Sequence, residues 1–121
     1  MKRLLIALIS LTFVAPVLAQ AQAGPTSRFG WSQAATDLPS ASGFTYRAYL
    51  DASATGTTLT ATCTGTASPF SCTAPIPAVT PGTHTVALTA ANVAGESLKS
   101  SVTTFQMVAV PSAPTSIVIL P

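Results

Sequence analysis

Residues 80–97 constrain the fold of this chain more than any other stretch. They read T-P-G-T-H-T-V-A-L-T-A-A-N-V-A-G-E-S, in which a Pro-Gly turn precedes an alternating segment. His84, Val86 and Leu88 fall on one side of that segment, and such a period of two is typical of a half-buried strand. Gly95 then marks a tight turn into another strand. The stretch therefore predicts an antiparallel pair of strands, with His84 as a structural histidine on the buried face.

The first residues have the pattern of a secretory signal peptide. Lys2 and Arg3 precede an apolar run at residues 4–14, and small residues follow it. The run is shorter than the roughly 20 residues that a membrane-spanning helix needs. We therefore expect a helical leader that is removed, no membrane span afterwards, and a protein that is secreted or held in the periplasm or cell envelope.

Small residues allow cleavage of this leader after Ala19, Ala21 or Ala23, and a leader of residues 1–21 is preferred. The predicted organisation continues with one domain at residues 22–110 and a Pro-rich linker with a strand-like tail at residues 111–121. Without Lys2 and Arg3, the remaining 5 − 2 = 3 basic residues balance 3 acidic ones. A neutral chain lacks the basic footprint of a nucleic-acid binder.

Two cysteines, Cys63 and Cys72, follow the predicted leader. An exported chain meets an oxidising compartment, so a disulfide is expected. The residues between them include glycine and proline and suit a hairpin loop, which the disulfide would clamp with Cα atoms about 4.4–6.8 Å apart. A zinc site that includes His84 is the alternative, but the chain has 1 His and no paired cysteine spacing. No metal or other cofactor is expected.

Further strands are predicted from alternation and turn residues. Phe44, Tyr46, Ala48 and Leu50 alternate with polar residues on one strand. No helix is expected after the leader. The other predicted segments are a short strand around Trp31, a loop at residues 36–42, strands at residues 58–63 and 70–76, and a last strand at residues 98–110. Because prolines interrupt it, the strand at residues 70–76 is expected to be short or at a sheet edge.

The order of these features resembles a fibronectin type III domain or a bacterial immunoglobulin-like module. A Trp-bearing strand, an aromatic alternating strand, a Pro-Gly-led strand ending A-x-N, and G-E-S look like strands B, C, F and G of that family. The resemblance implies an all-β antiparallel sandwich. It also implies that Trp31 is a core anchor, that Val79 precedes the turn, and that His84 takes the place of the family's tyrosine. The predicted structural core is Trp31, Tyr46, Val79, His84, Leu88 and Phe105.

The residues offer little for catalysis, so an enzyme is not expected. Nucleophilic catalysis needs a base beside a nucleophile, and glycoside hydrolysis needs two facing carboxylates. The leading expectation is a structural or spacer module of an exported assembly. The alternative is a module that recognises a glycan or a protein with its loops and an outward stripe of Arg47, Tyr49 and Asp51. A solvated cross-strand pair is the simpler interpretation of that stripe.

The tail raises a separate question. The residues from Thr115 to Leu120 are apolar enough for a strand, whereas the predicted domain has little room for a first strand before Trp31. An unpaired apolar strand invites pairing with another sheet edge. We therefore expect the tail to pair with an edge of its own domain or of a neighbouring copy. The competing interpretation is that it opens a second domain.

Overall fold

A computed structural model describes residues 20–121, so the predicted leader helix lies outside the described residues. These residues form nine strands and one short helix. The elements are β1 (Ala21–Ala23), β2 (Arg28–Gln33), α1 (Leu38–Gly43), β3 (Thr45–Leu50), β4 (Thr57–Leu59), β5 (Thr62–Thr64), β6 (Phe70–Pro75), β7 (Gly82–Asn92), β8 (Gly95–Glu96) and β9 (Thr103–Met107).

The strands form two sheets that pack face to face. The larger sheet has the order β1-β9-β7-β3-β4, with β8 paired to β7, and the smaller has the order β2-β6-β5. Aromatic rings from β2 meet rings from the other sheet: Phe29 lies 5.7 Å from Phe105, and Trp31 lies 5.0 Å from Tyr46, between ring centroids. The predicted all-β sandwich is confirmed at the level of its class.

The predicted loop at residues 36–42 is wrong in part, because it contains helix α1. Asp37 caps the helix, and its Oδ1 atom accepts a hydrogen bond from the backbone N–H of Ser40 at 2.8 Å. Proline in the first turn suits a helix start, where its missing N–H has no partner to lose. Asp37 and Pro39, which suggested a loop, are therefore the residues that start the helix.

Two predicted strands were too long. The segment at residues 58–63 divides into β4 and β5, since the chain crosses there from the larger sheet to the smaller. The last strand is only β9, because residues before it bond to β7 partly through side chains. Ser100 donates its N–H to the carbonyl of Leu88, while the N–H of Leu88 donates to the Ser100 hydroxyl, both at 2.9 Å. A hydroxyl thus replaces one backbone group of a regular ladder.

The predicted disulfide between Cys63 and Cys72 is confirmed, and it clamps the β5–β6 hairpin. The two residues lie directly opposite each other in the antiparallel register. Their Cα atoms are 4.0 Å apart, closer than the separation we expected. The strand predicted at residues 70–76 was expected to be short or at a sheet edge, and the edge position is wrong. This strand is β6, which lies in the middle of its sheet and has Pro75 as its last residue.

Candidate functional site

The histidine at the start of β7 has both ring nitrogens at hydrogen-bond distance from acceptors of its own chain. His84 is 9% exposed. Its Nδ1 atom lies 2.7 Å from Oδ2 of Asp51, and its Nε2 atom lies 2.6 Å from the carbonyl oxygen of Thr80. The ring therefore ties the start of β7 both to the turn after β3 and to the chain four residues upstream.

Asp51 reaches this histidine because of the turn that follows β3. Asp51 and Ala52 both have positive φ angles, 52° and 57°, and the N–H of Ser53 donates to the carbonyl of Leu50 at 3.0 Å. Positive φ at both central positions is the mark of a type I′ hairpin turn. The Oδ1 atom of Asp51 also accepts the N–H of Thr85 at 3.0 Å. Both carboxylate oxygens are thus engaged with β7.

These contacts favour the charged forms of both groups. The hydrogen bond to Asp51, followed by the one to the Thr80 carbonyl, raises the pKa of His84. The hydrogen bond from His84, followed by the N–H of Thr85, lowers the pKa of Asp51. A neutral imidazole has only one N–H, so both ring nitrogens donate at once only when the ring is protonated. The geometry is that of an imidazolium held between a carboxylate and a carbonyl.

The same geometry leaves the ring little catalytic capacity. A histidine that activates a nucleophile needs a ring nitrogen facing a hydroxyl or thiol that can give up a proton. Here Nε2 of His84 faces a backbone carbonyl, which has no proton to give. In residues 20–121, moreover, no three His, Cys, Asp or Glu side chains form a group able to hold a metal ion. The imidazole and the carboxylate are thus both engaged with groups of their own chain.

A second polar cluster lies on the outer face of the larger sheet, around Glu96. Its Oε1 atom accepts hydrogen bonds from the hydroxyls of Thr89 and Tyr49, at 2.5 Å and 2.6 Å, and lies 3.6 Å from Nη1 of Arg47. The bond from Thr89, followed by that from Tyr49, lowers the pKa of Glu96. The Nζ atom of Lys99 lies 4.2 Å from the centroid of the Tyr49 ring. We call these five residues the Glu96 cluster.

The predicted outward stripe is divided between two sites. Arg47 and Tyr49 belong to the Glu96 cluster, whereas Asp51 turns towards His84. The sequence interpretation missed Glu96 as the centre of the cluster. The available signal was the short β7–β8 turn at Gly95, which returns residue 96 beside the outer face of β7.

Tyr46 occupies the centre of the core, where it connects the helix with the disulfide. It is 2% exposed, and its hydroxyl donates to the carbonyl of Ala41 in α1 at 2.6 Å. The same hydroxyl lies 3.7 Å and 3.8 Å from the two sulfur atoms of the disulfide. Burial raises the pKa of this phenol. Of the other predicted core residues, Phe105 is buried, and Trp31, Val79 and Leu88 are half-buried against the core.

Two further observations complete the description of the site. Among residues 20–121, no helix has the length and apolar character to cross a membrane. Comparison with protein families, with curated proteins and with solved structures finds no match for this chain.

Proposed function

We propose that this chain is an exported, non-catalytic β-sandwich module of the immunoglobulin-like class, related to fibronectin type III domains, that serves as a structural or spacer element outside the cytoplasm. The observation that carries the proposal is the double engagement of His84. The only histidine of the sequence has both ring nitrogens at hydrogen-bond distance from acceptors of its own chain.

The acidic residues support the same conclusion. The chain has 3 acidic residues, and each holds the fold together. Asp37 caps α1, Asp51 joins the turn after β3 to β7, and Glu96 gathers the side chains of the outer cluster. Acid–base catalysis needs a carboxylate that is available to the substrate. Carboxylates already committed to internal partners suit a structural module.

The strand order supports the immunoglobulin-like assignment. The larger sheet, β1-β9-β7-β3-β4, corresponds to strands A′-G-F-C-C′ of that class. The smaller sheet, β2-β6-β5, corresponds to strands B-E-D. In members of this class, a tyrosine near the start of strand F bonds through its hydroxyl to the backbone a few residues upstream. The bond from His84 to the carbonyl of Thr80 is the equivalent connection here.

The disulfide supports an oxidising compartment. Disulfides persist in secreted and periplasmic proteins and are rare where thiols are kept reduced. Both cysteines of the chain are used in the Cys63–Cys72 bond. Together with the leader pattern at the N-terminus, this favours export.

The alternative, recognition of a glycan through Tyr49, gains less support. A ring that stacks on a sugar needs a free face. Lys99 covers the Tyr49 ring at 4.2 Å, and the hydroxyl is held by Glu96. A ligand would first have to displace these internal contacts.

Expression of the full chain in a bacterial host tests the proposal. We expect mature, oxidised protein outside the cytoplasm, and no turnover of ester, peptide or glycoside substrates beyond that of a His84→Gln control. Retention in the cytoplasm with the leader attached would contradict the export part. A hydrolytic activity that His84→Gln abolishes would contradict the structural role of the histidine.

A further inference from the structure

One side of the sandwich is open along β2. In the smaller sheet β2 pairs only with β6, so its other edge has no strand beside it among residues 20–121. The preceding strand, β1, joins the larger sheet by pairing in parallel with β9. An edge strand presents unpaired N–H and C=O groups that can accept another strand. The fold therefore offers a vacant strand position beside β2.

An apolar groove of about 680 Å³ runs along this open side. Phe29 and Trp31 line it from the smaller sheet, and Val86, Leu88 and Phe105 line it from the larger one. Leu88 is only half-buried, although it lies on the inner face of the central strand β7. A central strand should be fully covered by the opposite sheet. The groove is thus a part of the core that the described chain does not fill.

Trp31 gives a second sign of incompleteness. Its Nε1 atom is buried and has no hydrogen-bond partner among the described residues. A buried donor without a partner destabilises the fold, because it has lost its hydrogen bond to water and gained none in return.

The same chain carries an exposed segment of matching chemistry. After β9, residues 108–121 form no strand. Four successive apolar side chains there are exposed: Ile117 by 89%, Val118 by 71%, Ile119 by 91% and Leu120 by 82%. Three of these four are β-branched and favour strands. Such a segment is costly to leave in water, because burial of large apolar side chains is favourable.

The tail also repeats the sequence that leads into β2. Residues 114–116 and residues 25–27 both read P-T-S. In the first copy, the N–H of Ser27 donates to the carbonyl of Gly24 at 3.0 Å, and the N–H of Gly24 donates to the Ser27 hydroxyl at 2.9 Å. This turn starts β2. The tail therefore has the local sequence of a turn followed by a strand.

We propose that residues 115–120 of one copy add as a strand to the free edge of β2 in a second copy, with alternate side chains in the groove. Strand addition uses main-chain hydrogen bonds for affinity and side-chain pockets for register. The tail is uncharged, and the groove has one charged lining residue, Arg28, so burial of the tail leaves no charge unpaired on its side.

A second copy fits better than the tail's own domain. Pro111 and Pro114 stiffen the connection after β9 in an extended form. In the structure the tail stands clear of its own groove, with its apolar side chains exposed. This assembly deepens the proposed structural role, and it rests on that role only because it names a second copy of the chain as the partner. Failure of assembly would leave export and the absence of catalysis untouched, since those have separate measurements.

The test uses the mature protein and its only tryptophan, which lines the groove. Sedimentation over a concentration series measures association, while Trp31 emission reports whether water leaves the groove. We expect association with concentration, accompanied by a blue shift. Val118→Pro removes a backbone donor from the tail strand and should weaken association at least about tenfold. Ser112→Pro makes the same change in the linker and should leave association unaltered.

A synthetic peptide of residues 111–121 completes the test. Added to the Val118→Pro protein, it should restore the blue shift, and a scrambled peptide should not. A wild-type protein that stays monomeric with a peptide that does not bind would overturn the proposal. Association that Val118→Pro leaves unchanged would overturn it as well. A blue-shifted emission that is independent of concentration but lost in Val118→Pro would assign the tail to its own groove, and so overturn the choice of a second copy.

Discussion

The Nδ1 atom of His84 lies 2.7 Å from Oδ2 of Asp51, a residue 33 positions earlier in the chain. The contact joins the turn after β3 to the start of β7. Strands β3 and β7 are neighbours in the larger sheet. The histidine side chain is 11% exposed and the aspartate side chain 54% exposed. The pair therefore combines a buried imidazole with a carboxylate that solvent reaches.

This pair should make stability depend on pH. The raised pKa of His84 means that its contribution is complete below the unfolded value near 6.5 and is lost as the pH rises through the folded value. The lowered pKa of Asp51 means that its contribution is complete above about 3.8 and is lost as the pH falls further. The free energy of unfolding should thus be greatest between these values and decline on the alkaline side.

Urea unfolding at about pH 5.5 and about pH 8.5, followed by Trp31 fluorescence, measures this decline. The matched variant is His84→Gln, which should be less stable at the lower pH and should lose no stability between the two. The comparison is clean because the chain has 1 His and both cysteines are in the disulfide. An equal decline in the variant would show that the histidine is not responsible.

The buried phenol of Tyr46 gives a prediction about the core. Tyr46→Phe removes the donor to the carbonyl of Ala41 and leaves that acceptor buried, so the free energy of unfolding should fall by about 1–3 kcal/mol. Tyr49→Phe removes the same atom from the outer face, where water can replace it, and should cost clearly less. Equal losses in chemical denaturation would mean that the hydroxyl of Tyr46 does not tie α1 to the core.

The packing of the Glu96 cluster can be tested at Gly56. A Cβ atom there would lie 2.8 Å from Cζ of Tyr49 and 3.0 Å from Cβ of Arg47. Gly56→Ala should therefore cost about 1–3 kcal/mol through overpacking. The control is Gly43→Ala, where a Cβ atom meets nothing within 4 Å. If Gly56→Ala were as stable as this control, the Tyr49 ring could not be fixed above Gly56.

Local patterns in the sequence were sufficient to predict most of the strands. The alternation around His84 and the glycine and proline between the cysteines predicted β7 and the disulfide-linked hairpin, because these signals come from neighbouring residues. Helix α1 was missed because Asp37, Pro39 and Gly43 also suit a loop. Only the combination of an N-cap aspartate with proline in the first turn distinguishes the two.

Long-range pairings were not predictable in the same way. The expectation that Asp51 faces outward with Tyr49 followed from strand alternation, but Asp51 lies after β3 ends, in a turn with positive φ. Alternation no longer applies there. The gathering of Thr89, Tyr49 and Arg47 on Glu96 likewise depends on which strands become neighbours, and a single sequence does not specify that directly.

The position of β1 bears on where the predicted leader would be cleaved. β1 begins at Ala21, which pairs with Phe105 of β9. Cleavage after Ala19 keeps β1 whole, whereas cleavage after Ala21 removes its first residue and cleavage after Ala23 removes all of it. Although the sequence pattern favoured Ala21, we predict a mature N-terminus at Gln20, because it preserves every pair between β1 and β9.

The central claim, an exported and oxidised sandwich module, is tested most directly by the intact mass of the protein recovered outside the cytoplasm without reducing agent. The account predicts a chain that begins at Gln20 and has no titratable thiol after unfolding, because Cys63 and Cys72 are bonded. A chain that still begins at Met1, or one with two free thiols, would contradict it.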